Sequence, residues 1–184
     1  MIKFLTEVLT FYIPNRKMRK SAQAKLRTLI YGYKVRINAI SIGKGLYLGG
    51  PSVVNKKTIL GDHFRSNGIR ISGGGKVTIG NYFHGGTECL IIAQNHNYEG
   101  TKIPYDETFI YKDIEIGDFV WIGSRVTILP GTKIGEGAII QAGAVVHGEI
   151  PPYAIAGGNP AKVFKYRDIE HFKKLKEEKA FYKF

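Results

Sequence analysis

Three stretches carry side chains able to do chemistry. "AQNHNYEG" holds His96, "VWIGSRV" holds Trp121, the single tryptophan, and "GGNPAKVFKYR" holds Lys162, Lys165 and Arg167. An imidazole, with a pKa of about 6.5, can take up and return a proton near neutral pH. Cations close together favour clustered phosphate oxygens. An indole facing outward from a regular element packs on a ligand or a neighbouring subunit. Cys89 is the only cysteine, which leaves no disulfide framework and no cysteine-based zinc site.

These residues are positioned by a repeat of six. Ile116, Ile122, Ile128, Ile134, Ile140 and Val146 fall on one register; Ile114, Val120, Val126, Thr132, Ala138 and Ala144 fall on a second, two residues earlier. A helix repeats near 3.6 and a flat strand near 2, so a sustained six fits neither. It suits short strands joined by tight corners, stacked as the coils of a parallel β-helix with the aliphatic register in a central column. Gly117, Gly123 and Gly135 follow the core aliphatic where a corner would crowd a Cβ. In this phase the residue before each core aliphatic points outward, which puts Glu115, Trp121, Thr127 and Lys133 on the surface. His84 shares that outward phase and is a candidate to line the same cleft or a subunit contact. Cys89 falls on the core register and is not a candidate nucleophile.

Earlier rows are less regular: Ile42, Leu48 and Val54, then Ile79, Gly85 and Ile91 with Val77, Phe83 and Cys89. "GDHFRSNGIRISGGGKV" breaks step and predicts an irregular corner. A second break, 95–113, reads as a loop extruded from a coil, with His96 at its mouth; long loops in compact folds are usually functional. The ends read as helices that cap the solenoid: "MIKFLTEVLTFYIP" closed by Pro14, then a basic helix ending at Gly32, and a C-terminal helix from an Asp168 cap. The expected organisation is a helical cap at 1–36, a β-helix at 37–167 and a terminal helix at 168–184.

The chain has 184 residues and a net charge of +12. From Met1 to Arg36 it carries Lys3, Arg16, Lys17, Arg19, Lys20, Lys25, Arg27, Lys34 and Arg36 against Glu7 alone. Such a cluster suits an anionic membrane surface or phosphates. No nucleic-acid motif accompanies it. With no apolar run of spanning length and no secretory signal, a cytoplasmic location is expected, with peripheral contact to the inner face of the membrane through the basic segment.

The hexapeptide rows, the loop after "AQNHNY", "VWIGSRVTILPG" and "PPYAIAGGNPAKVFKY" together resemble the left-handed β-helix acyltransferases, more narrowly the sugar O-acetyltransferases and related xenobiotic acetyltransferases. The resemblance covers about residues 40–167. It implies an all-β solenoid of left-handed coils, a homotrimer, acetyl-CoA as donor, and clefts between subunits as active sites. It implies that His96 is the general base, that Trp121 lines the acceptor and pantetheine region, and that Ser124 touches the cofactor. Ala142 and Gly143 would flank the pantetheine arm, and Lys162, Lys165 and Arg167 would meet its phosphates. Asn67 lies close to the family's acceptor-side asparagine. Gly148 stands where a cation is common, leaving His147 nearby. The histidines of the zinc-dependent carbonic anhydrases of this architecture are not matched, so no metal is expected. The implied reaction is acetyl transfer from acetyl-CoA to a sugar hydroxyl in capsule, exopolysaccharide or lipopolysaccharide synthesis. The alternatives are N-acylation of an amino sugar on a nucleotide, or a non-catalytic β-helix scaffold.

Overall fold

The computed structural model describes residues 1–182. The repeat of six folds, as its spacing predicts, into a three-sided parallel solenoid with helices at both ends. Helices α1 (Ile2–Leu9) and α2 (Arg16–Asn38) precede it. Coil one holds β1 (Ser41–Ile42), β2 (Tyr47–Leu48) and β3 (Ser52–Val53). Coil two holds β4 (Thr58–Leu60), β5 (Arg65–Ser66) and β6 (Ile69–Ser72). Coil three holds β7 (Val77–Ile79), β8 (His84–Gly85) and β9 (Cys89–Ile92). A hairpin of β10 (Gln94–His96) and β11 (Phe109–Tyr111) then leaves the stack. Coil four resumes with β12 (Ile114–Ile116), β13 (Trp121–Ile122) and β14 (Thr127–Ile128), and coil five follows with β15 (Lys133–Ile134), β16 (Ile139–Ile140) and β17 (Val145–Val146). The last coil has β18 (Glu149–Ile150) and β19 (Ala154–Gly157), on which β20 (Lys162–Tyr166) folds back antiparallel. The first strands of the coils stack as face one, the second as face two, the third as face three.

The column inside is the predicted register. Ile79, Ile91, Ile116, Ile122, Ile128, Ile140 and Val146 are all buried. Thr132, a hydroxyl on the inward register, is satisfied by donating to Leu129 O at 2.7 Å. Phe64 and Phe83 stack between coils two and three with ring centres 5.1 Å apart. The coils' backbone groups pair with the coil above or below, so the sheets run unbroken along each face.

The corner between faces one and two explains how the coils turn without glycine at every step. His63, Tyr82 and Phe119 hold φ of 55, 55 and 57° there, a conformation costly for a residue with a Cβ. Their rings stack along the edge, 4.7 Å from His63 to Tyr82 and 5.0 Å from Tyr82 to Phe119, which offsets part of that cost. At Gly137 the ladder would lapse; Phe172 of α3 (Ile169–Glu177) fills the gap, 5.9 Å from Phe119 and 5.1 Å from Tyr153. Beside the rings, Asp118 accepts from Asn81 N–H, Asn81 from Asp62 N–H and Asp62 from Lys44 N–H, at 2.7, 2.8 and 2.9 Å. Each coil therefore caps the next.

The ends differ in detail from the sequence reading. Asn15 caps α2, its Oδ1 accepting from Lys17 and Met18 N–H. The helix does not stop at Gly32 but runs to Asn38, because Gly32 is buried where α2 crosses coil one and Val35, beyond it, joins the core. Thr28 Oγ1 accepts from Leu48 N–H at 3.1 Å, closing a bond that coil one has no preceding coil to make. Helix α1 ends at Leu9, ahead of Pro14, where Thr10 turns its hydroxyl back to Thr6 O. The stretch expected to hold an irregular corner does so: β5 and β6 stay in register with both neighbours, while the corner at Asn67–Gly68 is one residue shorter than that of coil one and Gly73–Gly75 departs from the coil. At the far end Asp168 Oδ1 accepts from His171 N–H and starts α3 as predicted, but the helix ends at Glu177, short of the expected 184, and 183–184 lie outside the described residues.

Candidate active site

Face two turns one side chain outward per coil. Tyr47, Arg65, His84, Trp121, Ile139 and Ile155 stand opposite one another in successive strands. Adjacent members are about 4.8 Å apart, the spacing of neighbouring strands. Lys165 of β20 lies opposite Ile155 and extends the row. Trp121 is 50% exposed, although its neighbours in sequence, Val120 and Ile122, are fully buried. Arg65 lies over the Tyr47 ring, 4.1 Å from its centre, and burial lowers its pKa. His84 stands between Arg65 and Trp121; burial first, and the Arg65 charge second, hold its pKa below the ordinary value.

That shift has a consequence for stability. The folded chain keeps His84 neutral at pH values where the unfolded chain protonates an ordinary histidine, at about 6.5. As pH falls through that value the unfolded state binds the extra proton, so folding stability drops on the acid side and is regained as pH rises. His84→Gln therefore flattens the acid limb of a plot of melting temperature against pH. An acid limb as steep as that of the parent protein would contradict the burial of this ring.

Between faces two and three runs an open strip. Asn67 is exposed there, its N–H bonded to Gly85 O at 3.0 Å. Ser124 Oγ accepts from Thr87 N–H at 3.2 Å, and Gly143 N–H donates to Ser124 O at 2.9 Å. Ala142 and Gly143 are exposed, and a Cβ built on Gly143 would meet nothing within 4 Å. Lys162, opposite Gly157, stands exposed at the far end of the strip. Cys89 lies beneath it, donating from Sγ to Gly123 O at 3.3 Å, and burial pushes its thiol pKa up. A protonated, covered thiol is a poor nucleophile. Arg167 is on the other edge of face two: its Nε donates to Gly137 O at 2.6 Å and its guanidinium leans on Phe172, so it braces the aromatic corner.

His96 stands on the hairpin. The sequence reading places it in a loop; the chain instead pairs Gln94 with Tyr111, Asn95 with Ile110 and His96 with Phe109. The exposed imidazole stacks on Tyr105, with ring centres 3.8 Å apart, and meets Phe109 at 4.9 Å. Asp106 braces the tip by accepting from Thr101 and Thr108 N–H and from the Thr108 hydroxyl, and the hydroxyl bond above all holds its carboxyl below the usual range. Tyr111 anchors the base against Gly74, where a Cβ would collide with the ring. Tyr105 and Phe109 orient the histidine, and sequence reasoning missed both. The available signal was the alternation of "QNH" against "FIY", which marks two strands.

The hairpin interrupts the chain between β9 of face three and β12 of face one, so it rises from the edge opposite face two. One chain thus brings His84 and Trp121 together on face two, places Asn67, Ser124, Ala142, Gly143 and Lys162 along the adjacent edge, and holds His96 apart from them. Among the described residues, no group of three or more His, Cys, Asp or Glu is arranged to hold a metal ion.

A solenoid that buries its aliphatic register and offers polar groups along its edges defines a class, the β-helices of hexapeptide repeats. Residues 113–148 match the family model described as bacterial transferase hexapeptide (six repeats). A galactoside acetyltransferase solved in complex with coenzyme A superposes with a TM-score of 0.64 at 21% identity, covering 100% of this chain and 85% of that one. A probable macrolide acetyltransferase of Lysinibacillus sphaericus is 38% identical over 111 residues, covering 51% of this chain and 62% of that protein. A probable acetyltransferase of Mycobacterium tuberculosis is 42% identical over 82 residues, covering 44% of this chain and 27% of that protein. The aligned stretches thus span between about a quarter and three fifths of these curated relatives' lengths. Residues 113–148 thus carry the hexapeptide repeat, and the solenoid has the fold of the solved galactoside acetyltransferase.

Proposed function

We propose that this protein transfers an acetyl group from acetyl-CoA to a sugar hydroxyl, as a step in building capsule, exopolysaccharide or lipopolysaccharide, with His96 as general base. The observation that carries the reading is the placement of one exposed, ring-stacked imidazole on the edge opposite Trp121. The two halves of the site become one cleft when a second copy presents its face two to the first copy's hairpin. A ring of three copies makes three equivalent clefts of this kind, each by the same heterologous contact. The galactoside acetyltransferase neighbour, with its bound coenzyme A, supports the donor and the sugar acceptor.

Acetyl-CoA brings the activated acyl group; the chain's residues hold it and manage one proton. The open strip at Ser124, Ala142 and Gly143 has room for an extended pantetheine arm, and Lys162 and Lys165 stand where the phosphates would end. The acceptor would lie against Trp121 and His84, with Asn67 at the rim. His96 accepts the hydroxyl proton as the sugar oxygen bonds to the acyl carbon, then returns it to the departing sulfur, so atoms and charge balance. The Tyr105 and Phe109 rings fix the plane in which the imidazole can do this.

The test is release of free thiol from acetyl-CoA across a panel of mono- and oligosaccharides and amino sugars. A hydroxyl acceptor should accelerate release, and the matching deoxy sugar should not. Acceleration by amines alone would replace the reading with N-acylation. No release with any acceptor would leave a non-catalytic scaffold.

A further inference from the structure

The first helix is inside out. Its face toward α2 carries threonines: Thr6 is fully buried and Thr10 is 4% exposed, with Gln23 Nε2 donating to Thr10 Oγ1 at 3.0 Å. The side chains turned to solvent are Phe4, Leu5, Val8 and Leu9, with Glu7 among them, continued after the helix by Phe11 and Tyr12; the apolar exposures run from 47% at Leu5 to 91% at Tyr12. A helix on a water-facing surface ordinarily buries its apolar stripe and exposes its hydroxyls. An apolar patch of this extent, with a single carboxylate set in it, marks a contact surface.

Charge identifies the occupant. Arg16, Lys17, Lys20 and Lys25 are exposed on α2, the helix that carries α1. A second copy seated face to face would bring two such cationic rims together, a like-charge contact that costs affinity. An anionic bilayer supplies both complements at once, acyl chains for the apolar face and headgroup phosphates for the cations. Among the described residues no helix is long and apolar enough to cross a membrane, so α1 would lie in the interface plane. We propose that α1 and residues 10–15 form a membrane-docking element, its apolar side chains set among the lipids of an anionic leaflet and the α2 cations against their phosphates. This docking does not depend on the acyl-transfer reading.

The experiment is co-sedimentation of the full chain with vesicles of phosphatidylcholine alone or mixed with phosphatidylglycerol. The proposal expects at least about tenfold stronger partition to the anionic vesicles, reduced by salt. Phe4→Ser/Phe11→Ser changes only exposed side chains, so melting should hold while partition falls at least about tenfold. Lys17→Glu/Lys20→Glu should lose the preference for anionic lipid. Equal sedimentation with both vesicle types would overturn the proposal, as would undiminished binding of the serine variant. So would a serine variant that changes oligomeric state on a sizing column, because the apolar face would then be a contact between copies.

Discussion

His96→Ala lowers the rate of acetyl transfer by about 10²–10⁴-fold, the usual worth of a positioned general base. On the proposed reading the loss falls on kcat, because the imidazole would act on a proton that moves only as the oxygen attacks, with binding of the donor left to the strip and the lysines. Fold and assembly should survive: the side chain is exposed on the hairpin, and what it touches, Tyr105 and Phe109, belongs to the same excursion and not to the core column. Steady-state thiol release, read beside a thermal melt and a sizing column, checks all three. A variant that keeps its rate would remove His96 from the chemistry. One that loses rate and melting temperature together would make the ring structural.

Phe83→Ala destabilises the solenoid by about 3–5 kcal/mol. Phe83 is fully buried and stacks on Phe64 one coil away at 5.1 Å, so truncation empties a space bounded on both sides by rigid backbone. Neighbouring coils cannot collapse into the void, because each is pinned to the next by its ladder of backbone bonds. Domains are stable by only about 5–15 kcal/mol, so the change takes a large share. The loss also falls mid-stack, where a solenoid passes stability from coil to coil. Urea denaturation gives the number; a cost below about 1 kcal/mol would mean that the two rings do not form a packed layer.

The column was legible where one register returns as an aliphatic at intervals of six, from Ile116 to Val146, and every one of those side chains is buried. The early break was legible as an irregular corner, because the strands stay in register while the corners between them change length. Ser52 faces Ile69, seventeen residues on, Ile69 faces Cys89, twenty on, and Ser41 faces Ile59 at the regular eighteen. Corner residues such as His63, held at positive φ by the ring beside it, leave no trace that a search for glycine can find. Gly32 misled for a related reason: its flexibility suggests a helix end, but burial against Leu48 decides the matter, and a contact distant in sequence cannot be read locally. For the site, the outward phase of Trp121 and His84 was readable from the repeat. The stacking of His96 on Tyr105 was not, since it depends on where a hairpin tip folds back. The inversion of α1 was hidden as well, because a sequence shows an apolar face without saying which way it turns.

The central claim is that hairpin and face two of different copies complete one another. Mixed oligomers test it most directly. His96→Ala disables the hairpin half, and Ala142→Trp fills the open strip of the other half. The two inactive variants are unfolded together, refolded as mixtures and assayed for thiol release. In a ring of three, random mixing pairs an intact hairpin with an intact strip at about a quarter of the interfaces, so about a quarter of the parent rate should return. Mixtures no more active than the separate variants would contradict a shared cleft.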